Sequence, residues 1–375
     1  MFGRLSGDRL FASIVTILVV GGLAMFASAS LGLLARAGES LWHVVFGQVF
    51  YGLVPGIIAL IFLRFIPSKW ITRAVFPFYI FSILVTIAVF VPGLGHHTNG
   101  ATRWIQIGPA TIQPAEFLKI AVILMLSAYL AQVKDRVKDL REGLLAFALI
   151  VGIPIVILIA QPNTSTAMII GATCCALYFL AGAPWRDFAI IGATAIMGLA
   201  LLVVIRPYLL SRVMTYIHPS NSASSLSSGY QIEQSLIAIG SGRLVGRGYG
   251  QSVQKFNYLP EPNSDSIFAV YAEEFGFLGS ILLIIGFMAF ATRGFMIAAE
   301  AATTFGALTV TGLTLLITLS AFMNIGALLG VLPLTGLPLP FISQGGTALL
   351  AALAAVGIIL NIAAHRTGAK KAKLR

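Results

Sequence analysis

The stretch Gln254 to Gly276, QKFNYLPEPNSDSIFAVYAEEFG, changes character halfway along. Its first part is a polar loop whose turn is fixed by Pro260 and Pro262, and from Ile267 it becomes an apolar helix. One carboxylate, Asp265, stands at the changeover. A carboxylate at the mouth of a hydrophobic helix is unfavourable unless it meets water, a partner or a substrate. A polar loop feeding a membrane helix decides the fold class, and Asp265 is the candidate chemical centre.

The same pattern extends outward through the chain. Hydrophobic residues make up 58% of the 375 and charged ones 10%, with a mean hydropathy of +0.94. Soluble proteins carry roughly 25% charged residues. Only a lipid-embedded helical bundle accommodates so much apolar surface, so the expected fold is an all-α polytopic membrane protein. Apolar runs fall at about 10–34, 42–63, 75–92, 114–132, 143–160, 164–182, 187–205, 267–291, 307–331 and 345–363, which predicts ten spans in a single membrane domain. Gln161, Pro162 and Asn163 alone separate the fifth from the sixth, which predicts a tight helical hairpin. Arg4 and Arg9 before an apolar run imitate a secretory signal, but that run is too long to be one and reads as an uncleaved first helix. No strand alternation and no internal repeat is read from the chain.

Charge sets the expected orientation. With N- and C-termini inside, the cytoplasmic segments hold sixteen Lys and Arg, including the basic tail at about 364–375, and the outer loops hold seven. The net charge of +11 is therefore a topology signal, and nucleic acid is not an expected partner. Cys174 and Cys175 are adjacent on an apolar helix, point about 100° apart and read as packing residues. The long outer loop, about 206–266, is expected to contain short interfacial helices at Tyr208–Thr215 and Tyr230–Ile239 and a mobile Ser-rich part at Ser220–Ser228.

Several groups carry both a chemical and a structural reading. Asp265 can serve as a base, or can simply favour the positive end of the helix that follows. Glu116 and Lys119 share a helix face and read either as an internal ion pair or as shapers of a substrate cavity. Glu273 and Glu274 lie roughly 12 to 14 Å farther along their helix at about 1.5 Å per residue and read as hydrogen-bonding partners inside the bundle. The run GSGRLVGRGYG, 240–250, offers backbone N–H groups and two arginines to a phosphate, or is a flexible turn with interfacial cations. LPLTGLPLPFISQGG, 332–346, cannot be a continuous helix and is expected to fold in, with Ser343, Gln344 and Thr347 supplying polar groups.

Three long stretches resemble the shape, elongation, division and sporulation (SEDS) family of peptidoglycan polymerases. They are NGATRWIQIGPATIQPAEFLK (99–119), YQIEQSLIAIGSGRLVGRGYGQSVQKFNYLPEPNSDSIFAVYAEEFGFLG (230–279) and NIGALLGVLPLTGLPLPFISQGG (324–346). The similarity runs over nearly the whole chain, and Gln251–Lys255 with Tyr258–Glu261 lean toward division-type rather than elongation-type members. Departures from the usual pattern are Asn163, Ser165, Arg243, Asn263, Ser264, Ser266 and Gln344.

The resemblance implies an enzyme of the bacterial inner membrane that joins lipid II into glycan strands at the outer face and releases undecaprenyl pyrophosphate. It implies Asp265 as the catalytic base. Arg103, Arg243, Arg247 and Lys255 would neutralise the pyrophosphate, with or without a divalent cation (magnesium or manganese) that has Asp265 among its ligands. Glu116, Lys119, Gln254, Glu261, Glu273, Ser343 and Gln344 would line the substrate cavity. A class B penicillin-binding protein, other division or elongation proteins and membrane lipids would be its partners. The rival readings are a lipid II flippase, with Glu116, Lys119 and Glu273 as relay groups, and a non-catalytic scaffold.

Overall fold

The computed structural model describes residues 8–37, 41–98, 101–108, 110–205, 228–256 and 258–373. The expected helix at 208–215 and the Ser-rich 220–227 lie outside them. Among the described residues, nine helices are long and apolar enough to cross a membrane, and a shorter apolar helix, Thr164–Leu180, accompanies them. The ten positions match the apolar runs of the sequence, with Gly346–His365 as the last of the nine.

In chain order, α1 is Arg9–Ala37, and α2, Leu41–Gln48, continues through a π turn at Val49–Leu53 into α3, Val54–Phe65. Helix α4 spans Ser68–Ala88 and α5 Pro114–Val133. Leu140–Leu145 and Ala148–Gly152 are π-helical and lead into α6, Ile153–Ala160. Helix α7 is Thr164–Leu180, α8 Trp185–Ile205 and α9 Ser228–Ser241. The last three are α10, Ile267–Ala299, α11, Thr304–Leu328, and α12, Gly346–Lys373. The expected tight hairpin is present between α6 and α7, and α9 covers the expected short helix at 230–239.

Buried side chains concentrate on α5, α11 and α12, which form the middle of the bundle, while α8 is almost wholly peripheral. Lipid supplies no hydrophobic drive between helices, so close van der Waals packing has to hold them. Small residues permit it. A Cβ on Gly52 of the π turn would fall 2.8 Å from the Cα of Gly346, and one on Gly357 would fall 2.7 Å from Leu60 O, so α12 lies directly on α3. Helices α1 and α10 run antiparallel, tied at one end by Asp8, whose carboxylate accepts from Arg293 Nε at 3.0 Å and also from the N–H of Phe11 at 3.0 Å. The ring of Phe290 packs on Phe11 at 5.0 Å between centroids.

The sequence reading found no strands, and the structure corrects it. A small antiparallel sheet joins α4 to α5: β1 is Gly95–Thr98, β2 Ala101–Ile107 and β3 Ala110–Ile112, in the order β1-β2-β3. Gly95 pairs with Ile105, and Ile105 with Ile112. Its strands are too short for alternation to register, but Asn99-Gly100 between β1 and β2 is a hairpin dipeptide that carried the information.

Two irregular segments penetrate the bundle. One is 332–345, which folds in as expected: a Cβ on Gly22, midway along α1, would fall 2.3 Å from Phe341 O, and the Phe341 ring meets Phe290 at 5.9 Å. The other is 242–256. Tyr249 Oη donates to Ala24 O at 2.8 Å, eight residues short of Gly32, where the apolar span of α1 ends. At about 1.5 Å per residue the segment therefore descends some 12 Å alongside α1 instead of lying on the surface. Desolvation, and after it the Glu274 carboxylate, push the Tyr249 phenol up, which keeps it a donor.

That second segment breaks α10. Gly276 has φ 66° and ψ −163°, which interrupts the helix. In an unbroken helix the N–H groups of Phe277 and Leu278 would bond the carbonyls of Glu273 and Glu274. Here those N–H groups donate to Arg243 O at 2.8 Å and Leu244 O at 3.0 Å. The orphaned carbonyls accept from Arg247 N at 3.0 Å and Gly248 N at 2.9 Å. The loop thus supplies both halves of two missing helical bonds, which is what buried backbone in a membrane requires. A Cβ on Gly246 (φ +85°) would fall 2.1 Å from Glu274 O, and one on Gly276 2.3 Å from Gly246 N, so only glycine allows the two backbones to meet.

Candidate active site

Asp265 lies at the end of the bundle where α11 terminates, and its side chain is half-buried. Its Oδ1 accepts from Ser264 Oγ at 3.2 Å. Its backbone carbonyl accepts from Asn324 Nδ2, one turn before the end of α11, at 2.8 Å. The same amide nitrogen donates to Leu337 O at 2.7 Å, so one side chain binds the Asp265 loop to the 332–345 segment. Two further bonds do the same: Ser343 Oγ donates to Ser264 O at 2.7 Å, and Gln344 N donates to Asn263 O at 2.7 Å. Asn263 Nδ2 donates to Gln344 Oε1 as well. Gly336, at φ +65°, faces the carboxylate, and a Cβ there would fall 3.3 Å from Asp265 Oδ2.

The 332–345 segment is itself braced. Gln48 donates to Ser343 O at 3.2 Å and accepts from Gly345 N at 3.0 Å, Ser165 Oγ donates to Thr335 O, and Thr347 Oγ1 donates to Thr111 O at 3.2 Å. Asp265 therefore rests on a frame built from α11, α7, the end of α2 and the small sheet. Sequence reasoning named Ser343, Gln344 and Thr347 but missed Asn324 and Gln48. Both were visible as carboxamides inside apolar helices, where a polar side chain needs a partner.

The remaining expected residues fall into separate places. Glu116 and Lys119 form an ion pair at 2.9 Å. With Ile120, Leu316, Ser320 and Ser343 they line a cavity of about 40 Å³ behind the 332–345 segment. That cavity has room for a water molecule, not for a lipid. Gln254, Glu261, Glu273, Gln344 and Asp265 do not border it. Glu261 and Gln344 are exposed.

Glu273 is buried under the 242–256 segment. It accepts from Ser252 Oγ at 2.6 Å, Ser241 Oγ at 3.2 Å and the N–H groups of Val253 and Gln254 at 3.1 and 3.2 Å, and it forms an ion pair with Arg247 Nε at 3.3 Å. Those bonds show a structural carboxylate in place of a cavity wall. Lys255 likewise does not face outward from its loop: it is fully buried and donates to Glu274 Oε1 at 2.8 Å, Gly250 O at 2.9 Å and Ser28 Oγ at 3.1 Å, which uses its three protons. Arg103 donates to the carbonyls of Gln161 and Pro162 and so caps the α6–α7 turn. Arg243 and Arg247 flank the helix break, some 12 Å or more from Asp265 at about 1.5 Å per residue. Of the four cations that the resemblance assigns to the pyrophosphate, Lys255 is spent on Glu274 and Arg103 holds the α6–α7 turn, while the glycines beside Arg243 and Arg247 serve the backbone contact described above.

Among the described residues, no three His, Cys, Asp or Glu side chains come together to hold a metal ion. Asp265 alone does not make a resident metal site. What it offers is a half-exposed carboxylate on a braced loop, suited to taking a proton from a bound hydroxyl.

The chain matches the family of FtsW, RodA and SpoVE, described as "Cell cycle protein", over residues 8–368. Stage V sporulation protein E of Bacillus subtilis is 35% identical over 364 residues, covering 96% of this chain and 98% of that one. The probable peptidoglycan glycosyltransferase FtsW of Coxiella burnetii is 38% identical over 345 residues, covering 91% and 92%. Among solved structures, Rod shape determining protein RodA of Thermus thermophilus superposes with a TM-score of 0.71 at 25% identity, covering 96% and 98%. A chain of a peptidoglycan synthase complex that coordinates polymerization and crosslinking superposes with a TM-score of 0.79 at 24% identity, covering 96% and 99%.

Proposed function

The chain belongs to the FtsW, RodA and SpoVE family of cell cycle proteins, and from that premise we propose how this multi-pass peptidoglycan glycosyltransferase works. Lipid II is both donor and acceptor. Asp265 removes the proton of the acceptor's GlcNAc 4-hydroxyl as that oxygen bonds to C1 of the donor's MurNAc. The bond from C1 to undecaprenyl pyrophosphate breaks, the configuration inverts, and the proton passes from Asp265 to water. Pyrophosphate leaves without protonation, so one carboxylate suffices where glycoside hydrolases need two.

The observation that carries this reading is the placement of Asp265. It is a half-exposed carboxylate at the bundle end, with its backbone held by Asn324 and its loop clasped by Ser343 and Gln344. Lys255 and Arg103 are not assigned to the leaving diphosphate because they are engaged elsewhere, and Arg243 and Arg247 are not because they stand at the helix break, about 12 Å or more from Asp265. A divalent cation would have to enter with the substrate, and no step is routed through it. The flippase reading loses one of its three relay groups, since Glu273 is saturated by its loop.

The preference of Lys and Arg for one side supports Asp265 on the outer face, and the bacterial relatives support an inner-membrane location. A class B penicillin-binding protein is the partner that would crosslink the strands, by analogy with the synthase complex of similar fold. The test is full-length protein, purified in detergent and supplied with labelled lipid II. Wild type makes glycan ladders, and Asp265→Asn, with an unchanged melting profile, makes none. Ladders of normal length from that variant would remove Asp265 from the mechanism.

A further inference from the structure

The 242–256 segment carries two arginines to a place where arginine is unfavourable. It runs beside the apolar span of α1, with Tyr249 bonded to Ala24. Around it stand exposed apolar side chains: Leu244 is 66% exposed, Val245 75%, Phe277 57% and Leu278 60%. Ser241–Arg247 form an open concavity of about 560 Å³ among them.

Arg243 adopts φ +50°, a conformation in which a non-glycine residue is strained. Its backbone is committed to the helix break through Phe277, while its side chain is exposed and makes no ion pair among the described residues. Arg247 is 43% exposed and pairs with Glu273 through Nε at 3.3 Å, and that carboxylate already has four hydrogen-bond donors. With Glu274 matched to Lys255, the concavity holds one positive charge in excess. A guanidinium facing lipid finds its anion by reaching toward a headgroup phosphate, while flanking apolar side chains accept the acyl chains.

We propose that the Ser241–Arg247 concavity is a binding site for the phosphate of an anionic membrane lipid, separate from Asp265. Arg243 and Arg247 grip the phosphate oxygens, and Leu244, Val245, Phe277 and Leu278 contact the chains. The site stands on geometry independent of the glycan chemistry.

The test uses full-length protein in nanodiscs of mixed phosphatidylglycerol and phosphatidylcholine, extracted into mild detergent and weighed intact with its retained lipids. Wild type should retain phosphatidylglycerol in preference to phosphatidylcholine. Arg243→Gly removes the guanidinium and relieves the strained φ, so it should melt no lower than wild type and should retain about fivefold less phosphatidylglycerol. Arg243→Asn, which tolerates the same φ, should behave alike. Equal retention by both variants, or no preference between the lipids, overturns the proposal. Addition of millimolar inorganic pyrophosphate separates the two sources of phosphate. Undiminished lipid retention is expected, and displacement would make this a site for free diphosphate and overturn the lipid assignment. Polymerisation is not read in this experiment, so its outcome is distinct from the fate of Asp265→Asn.

Discussion

Asn324→Ala removes a side chain that ties the Asp265 backbone to the folded-in segment. Two hydrogen bonds vanish, at 2.8 Å to Asp265 O and 2.7 Å to Leu337 O. If water reaches both carbonyls, the loss is about 1 kcal/mol each; if they stay dry, it is about 2–3 kcal/mol each. A total of roughly 2–6 kcal/mol follows. The Asp265 loop does not come free, because Ser343 and the N–H of Gln344 still hold Ser264 and Asn263. The carboxylate should instead drift by an ångström or so, and a displacement of that size lowers a turnover rate by about 10²-fold. The assay is lipid II polymerisation by purified protein, read beside the melting temperature and lipid II affinity. Turnover should collapse in protein that remains folded and binds lipid II normally. A folded Asn324→Ala enzyme with turnover within about twofold of wild type would refute the idea that this clasp positions the base.

Other perturbations follow from the same contacts. Lys255→Met leaves Glu274 buried without its cation and should destabilise the protein by about 3–5 kcal/mol, and Lys255→Met with Glu274→Leu should recover most of that in the same melting assay. Gly246→Ala drives a methyl into Glu274 O at a positive φ, so little folded protein should survive size-exclusion chromatography. Arg103→Ala frees the carbonyls of Gln161 and Pro162 and should lower the melting temperature by the equivalent of about 1–3 kcal/mol. A loss of turnover at unchanged stability would instead restore Arg103 to the reaction.

Helix positions were readable because apolar length alone specifies them, and all ten runs correspond to helices. The folding-in of 332–345 was readable too, since its prolines forbid a helix. The site was half legible. Asp265 stood out as the carboxylate at the loop-to-helix boundary, and Ser343 and Gln344 as the polar groups of the facing segment. The partners of Lys255 and Arg103 were not legible, because sequence shows which side of a membrane a cation is near, not whether a carbonyl or carboxylate from a distant segment has claimed it. Ser28 and Glu274, 246 residues apart, meet only in the fold. The break at Gly276 was hidden for a related reason: AEEFGFLG reads as uninterrupted helix until a second backbone is laid across it.

That break turns the first part of α10 into a short lever arm. From Ile267 to Gly276 it measures about 14 Å, so a swing of about 10° about the glycine carries the aspartate end through about 2–3 Å. The fulcrum is held by four hydrogen bonds from a glycine-rich loop, not by the rest of the helix. The aspartate end is therefore coupled to that loop and to the 332–345 segment that clasps it, and not to the long lower rod.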